Sequence, residues 1–125
     1  MDSKDGHRDY IGIRKGLADG QSLGELEAKI LDVIWDLEPP VTTTQVFKIM
    51  YPQYEFSYST IMLTMAKLAR KGLLKQIRTG PKKTDAFVYT PLKSRAEVGR
   101  ELMESVCQTL LKKPLVEVMK AIAEE

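Results

Sequence analysis

Between Ser57 and Lys83 the chain carries seven cations, Lys67, Arg70, Lys71, Lys75, Arg78, Lys82 and Lys83, and no acid. Charges of one sign crowded in this way repel each other unless a polyanion approaches. The stretch therefore reads either as a nucleic-acid contact surface or as a solvated basic face. The whole chain holds 19 basic and 17 acidic residues, a net charge of +2, so the distribution is informative and the total is not. Hydroxyl groups lead into the cations: Ser57, Tyr58, Ser59, Thr60 and Thr64. Other chemistries lack their residues. One histidine (His7) and one cysteine (Cys107) make neither a metal cluster nor a disulfide within the chain. There is no glycine-rich phosphate loop after a strand and no carboxylate pair with a pocket signature. No catalytic residue, metal or cofactor is expected, and the chain does not read as an enzyme.

The elements that must carry these groups follow from spacing. Leu26, Ile30, Val33, Ile34 and Leu37 recur at helical intervals after Gly24, a candidate N-cap with Glu27 three residues on, and Pro39-Pro40 ends that helix. Thr42 and Gln45 form a capping-box pattern ahead of Val46, Ile49 and Met50. A third helix is expected from about Ser57 to Lys71, capped by Ser57 or Ser59, with Ile61, Met65 and Leu68 inward and Gly72 as its stop. The period then changes. Leu73 to Thr79 and Asp85 to Thr90 predict a β-hairpin with a basic Gly80-Pro81-Lys82-Lys83-Thr84 tip, and Pro91 closes the second strand.

Helix, helix, helix, hairpin is the winged helix-turn-helix layout, in which the later helix of the pair enters the major groove. The expected fold class is mainly α with a small β-hairpin, a winged helix-turn-helix DNA-binding domain plus a C-terminal helical dimerisation region. The boundaries read as residues 1–21 for a flexible N-terminal arm, 22–92 for the winged domain and 93–125 for the dimerisation region. The candidate DNA-binding residues are Tyr58, Ser59, Thr60, Leu63, Thr64, Lys67, Arg70, Lys71, Arg78, Lys82 and Lys83. Hydroxyls near the helix start can bond base edges or phosphates, and Leu63 can meet a thymine methyl. Lys67, Arg70 and Lys71 suit phosphate, while Arg78, Lys82 and Lys83 suit phosphate or the minor groove. Met62 lies at the edge of this face and fits either the core or the DNA side. Trp35, Met50, Met65, Met103 and Met119 read as core fillers, and Cys107 as a buried inert thiol.

The tail carries two apolar stripes. Val98, Leu102, Met103, Val106, Cys107 and Leu110 form the first; Leu115, Val118, Met119 and Ile122 form the second, after a break at Lys112-Lys113-Pro114. A winged module closes its own core, so these faces need another surface. A second subunit is the economical one, with the helices folding back on their own domain as the rival arrangement. The dimerisation candidates are Val98, Leu102, Met103, Val106, Leu110, Leu115, Val118, Met119 and Ile122. A hydrophobic content of 43% excludes wholesale disorder, and no apolar run is long enough to span a membrane. With the charged start Met1-Asp2-Ser3-Lys4-Asp5, a cytoplasmic location is expected.

With these residues in view, the chain resembles the penicillinase-repressor family of transcriptional regulators. The resemblance rests on Leu23-Gly24-Glu25-Leu26-Glu27 running to Ile34-Trp35, on Ser57 to Leu74, and on Tyr89-Thr90-Pro91-Leu92. It implies a homodimeric repressor on a pseudo-palindromic DNA operator, acting by promoter occlusion. Ser59, Thr60, Leu63 and Lys67 would face DNA, and the helices after Leu92 would dimerise. Two familiar inducing devices do not carry over: the chain has no asparagine for an Asn-Phe cleavage site, and a single cysteine rather than paired Cys-x-Cys motifs. In the N-terminal arm, Arg8, Arg14 and Lys15 are candidates for minor-groove contact. The reading from another class is a winged-helix protein–protein interaction module without sequence-specific DNA binding.

Overall fold

The computed structural model describes residues 10–11 and 23–124. In chain order its elements are β1 (Tyr10–Ile11), β2 (Leu23–Gly24), α1 (Glu25–Trp35), α2 (Thr43–Met50), α3 (Tyr58–Arg70), β3 (Leu74–Arg78), β4 (Phe87–Pro91), α4 (Arg95–Val106), a π-helical turn (Cys107–Leu111) and α5 (Leu115–Ala123). Contacts divide the chain into two units: Leu26–Ser94, and the segments Met1–Glu25 and Arg95–Glu125 taken together.

Helix α1 buries Ile30 and Ile34 of the expected stripe but not its other members. Glu27, Ile30, Leu31 and Ile34 are buried, while Leu26, Val33 and Leu37 are half-covered. Both sets have helical spacing, so the choice falls to tertiary packing, and the stripe that wins includes an acid. Trp35 is not a core filler in the simple sense. It is half-buried, and its indole N–H donates to the carbonyl of Lys93 at 3.0 Å.

At the start of α2 the Thr42 hydroxyl accepts from the Gln45 amide (3.1 Å) and the Gln45 side chain accepts from the Thr42 amide (2.8 Å). This reciprocal pair satisfies two orphan donors. Thr43, Val46 and Met50 line the buried stripe. Ile49, expected inward, lies on the flank and is exposed.

Helix α3 matches its letters closely. Ser57 is the N-cap, its hydroxyl accepting from the Thr60 amide at 3.1 Å, and Ile61, Met65 and Leu68 are fully buried. At the other end Gly72 has φ +82°. The Leu73 amide bonds the Leu68 carbonyl and the Gly72 amide bonds the Ala69 carbonyl, both at 3.0 Å. That is a Schellman ending, in which the left-handed residue lets the chain reverse into β3.

Strands β3 and β4 pair antiparallel in the register Leu74↔Pro91, Gln76↔Tyr89 and Arg78↔Phe87. Pro91 is the last residue of β4 rather than the first beyond it. Val41, just before the α2 cap, adds a third rung: its amide and carbonyl each bond Tyr89 at 2.8 Å. Tyr89 is itself buried, and its hydroxyl accepts from the Gln76 side chain at 2.8 Å. A lone two-stranded hairpin is marginal in water, so this anchoring is what makes the wing a fixed part of the unit. Three helices and such a hairpin, in this order, constitute a winged helix.

In the other unit, β1 pairs antiparallel with β2, Tyr10 opposite Gly24. The expectation of an arm with DNA-reaching Arg8, Arg14 and Lys15 lies outside the described residues. The first tail stripe does not continue as one α-helix. The backbone changes to a π-turn at Cys107 and ends at Lys112 in the left-handed region (φ 57°). Pro114 stands at the N-cap position of α5, one residue ahead of the helix, and the Leu115 amide donates to the Glu104 carboxylate at 3.0 Å. Cys107 is buried as expected, whereas Met103 and Met119 are exposed rather than core.

Candidate nucleic-acid interface

Along the outer face of α3, Tyr58, Ser59, Met62, Leu63 and Arg70 are exposed. Tyr58 is positioned from α2: its hydroxyl lies 3.4 Å from that of Thr44, and its ring meets Phe47 edge-on at 5.6 Å. Neither Thr44 nor Phe47 was among the sequence candidates, because a cross-helix neighbour leaves no periodic signal. Two candidate hydroxyls turn out to serve the helix itself. Thr64 donates to the Thr60 carbonyl at 2.7 Å, and the Thr60 hydroxyl lies 2.9 Å from that of Ser57. Both residues are half-buried, so their capacity to bond an outside group is smaller than their types suggest.

The cations of α3 divide. Lys71 turns inward: its ammonium lies 2.7 Å from the Glu27 carboxylate, and its side chain is only 14% exposed. A phosphate-facing role was expected for it; the buried acid on α1 claims it instead. Lys67 sits at the margin, 3.9 Å from the same carboxylate but 45% exposed, so it keeps an outward charge. Arg70 faces outward. Glu27 was read in the sequence as a capping partner for Gly24. Its place at the same helical phase as Ile30 and Ile34 was the signal that it would be buried.

On the wing, Arg78 holds the tip together. Its guanidinium donates to the Lys83 carbonyl at 2.6 Å and stacks over the Phe87 ring at 4.5 Å. Asp85 closes the turn from the other side, its carboxylate accepting from the Lys82 amide at 2.9 Å. A Cβ at Gly80 would press on the Asp85 carboxylate, which would have to swing aside to admit it. Lys75, Lys82 and Lys83 remain exposed. Between the wing and the helix pair runs an open groove of about 550 Å³, bordered by Thr42–Thr44, Tyr58, Met62 and Thr84–Phe87.

The tail candidates also divide. Val98 and Leu115 are already buried in the single chain; Leu102, Val106 and Val118 are half-covered; Met103, Leu110, Met119 and Ile122 are exposed. Leu102, Met103, Val106, Cys107, Leu115, Val118, Met119 and Ile122 line an open apolar groove of about 510 Å³ between α4 and α5. Among the described residues no helix is long and apolar enough to cross a membrane, and no group of metal-ligating side chains occurs.

The unit is thus a winged helix with cations on its outer helix and on a braced wing. Comparison with known families agrees. The penicillinase repressor family matches residues 23–125, and the chain belongs to that family. It is also 33% identical, over 81 residues, to the transcriptional regulator BlaI of two strains of Mycobacterium tuberculosis. Those matches cover 65% of this chain and 56% of the relative, so the chain matches little more than half the relative's length.

Proposed function

We propose that this protein is a sequence-specific DNA-binding repressor that occupies its operator as a homodimer and blocks transcription by occluding the promoter. In this reading residues 22–92 contact DNA and residues 93–125 pair two subunits. Helix α3 enters the major groove, with Tyr58, Ser59 and Leu63 toward the bases and Lys67 and Arg70 toward phosphate. Lys82 and Lys83, on a tip braced by Arg78, meet the backbone or the adjacent minor groove.

The observation that carries the reading is the strip of exposed Ser59 and Leu63, continued by partly exposed Lys67, on a helix whose opposite face, Ile61, Met65 and Leu68, is fully buried. The uncovered apolar groove between α4 and α5 supports self-association, because contiguous apolar surface of this kind is uncommon on monomers. Two-fold pairing would present two copies of α3 to half-sites about one helical turn apart. The working compartment in this proposal is the cytoplasm, where the operator would be.

Salt titration tests it. Displacing counterions from Z phosphates gives log K against log[salt] a slope of about −0.9Z, and Lys67→Ala with Lys82→Ala in each subunit should make that slope shallower. Duplex binding that is weak at low salt and indifferent to both substitutions would refute DNA binding and leave the protein–protein module as the reading.

A further inference from the structure

Direct reading of guanine, adenine and cytosine in the major groove depends mainly on Arg, Lys, Asn, Gln, Asp or Glu side chains. Residues 58–66, the first turns of α3, contain none of these. Of the hydroxyls there, Thr64 is bonded to the Thr60 carbonyl and Thr60 to Ser57, while Tyr58 lies against Thr44. What the helix does offer is apolar. Leu63 is 64% exposed and Met62, beside it, 41% exposed.

The base edges of the major groove display one apolar group, the thymine 5-methyl. We infer that Leu63 and Met62 determine operator specificity by packing on thymine 5-methyl groups, so that recognition is dominated by apolar contact rather than by hydrogen-bond pairs. Met62 was ambiguous from sequence; its exposure, and its place on the groove that runs toward the wing, move it to the DNA side. Ser59, one turn before Leu63, supplies a small polar contact on the same strip. The inference rests on the DNA-binding proposal above and specifies the ligand's chemistry.

The test uses the full chain and a duplex selected by it from a random-sequence library. Each thymine of the selected duplex is then replaced singly by deoxyuridine, which removes the methyl and leaves every hydrogen-bonding group. At one or more positions in each half-site, affinity should fall about fourfold, the factor expected for one methyl-sized group returned to water. Leu63→Ala should bind the thymine duplex as weakly as the unaltered protein binds the uracil one, and should be indifferent to that replacement. Met62→Ala should show the same at a neighbouring position. Because the uracil series uses the unaltered protein, it does not depend on how the variants fold. Equal low-salt binding of all three proteins to a poly(dG)·poly(dC) duplex checks the variants themselves. An enriched duplex that tolerates uracil at every thymine with less than a twofold change overturns the inference and leaves DNA binding intact, as does a Leu63→Ala protein that keeps full sensitivity to uracil. A selection that enriches no sequence overturns sequence-specific binding and this inference with it.

Discussion

Replacing Glu27 with glutamine should unsettle the winged unit far more than a change of one atom suggests. The Glu27 side chain is 6% exposed and the Lys71 ammonium beside it is 2.7 Å away. At that separation and an effective dielectric constant of about 20, the attraction is roughly 6 kcal/mol. Several kcal/mol of desolvation oppose it, so the intact pair contributes little net stability. Removing one charge is different, because the other loses its nearest opposite charge in a poorly solvated site, at a cost of about 3 kcal/mol. Glutamine still accepts a hydrogen bond from Lys71, which isolates the charge from the contact. With a urea slope of about 1.5 kcal/mol per molar, the unfolding midpoint should drop by about 2 M. Lys71→Met alone should be less damaging, since Lys67 still faces the carboxylate from 3.9 Å. Glu27→Gln combined with Lys71→Met should recover much of the loss, as buried pairs replaced together often do. The measurement is equilibrium urea unfolding followed by Trp35 fluorescence. A Glu27→Gln midpoint within about 0.3 M of the parent would refute the claim that the charge is held in a poorly solvated site.

Other outcomes follow from the same geometry. Ser57→Ala removes the α3 cap and should lower stability by about 1 kcal/mol in the same assay. Gly72→Ala forces a Cβ into the left-handed region and should cost about 1–2 kcal/mol, whereas a substitution at exposed Ser59 should be nearly silent for folding. Met103→Asp places a charge on the uncovered apolar groove and should yield monomers in sedimentation velocity with an unchanged circular dichroism spectrum; a persistent dimer would move the pairing surface elsewhere. Gly80→Ala should loosen the turn that Asp85 closes, read as faster amide exchange at Lys82 with α3 unaffected.

Local signals in the sequence were reliable where a single element decides the outcome. The α3 stripe of Ile61, Met65 and Leu68, the Ser57 cap and the Gly72 stop depend on one helix and its ends, and each appears as read. The hairpin followed from β-rich runs flanking a Gly-Pro turn, with its ends displaced by one or two residues. Contacts between elements were not legible. Lys71 counted as one of seven similar cations because charge arithmetic carries no direction, and only the fold brings α1's acid to it. Arg78 likewise looked like a free wing cation, yet one of its guanidinium nitrogens is turned to the carbonyls of its own turn. The α1 stripe was misphased in part because two helical stripes compete there and hydrophobicity alone favoured the one without an acid. In the tail, the π-turn at Cys107 left no mark in the letters, since Val106 to Leu111 would serve equally well as ordinary helix.

The Val41–Tyr89 rung has a mechanical consequence. Val41 immediately precedes the cap of α2, and Tyr89 is at the centre of the strand that leads out of the wing. Two backbone bonds thus fasten the hairpin to the framework that carries α3, like the fixed jaws of a caliper. The gauge between helix and hairpin belongs to the protein, so under the proposed DNA binding a double helix of the wrong groove width would itself have to deform to be held.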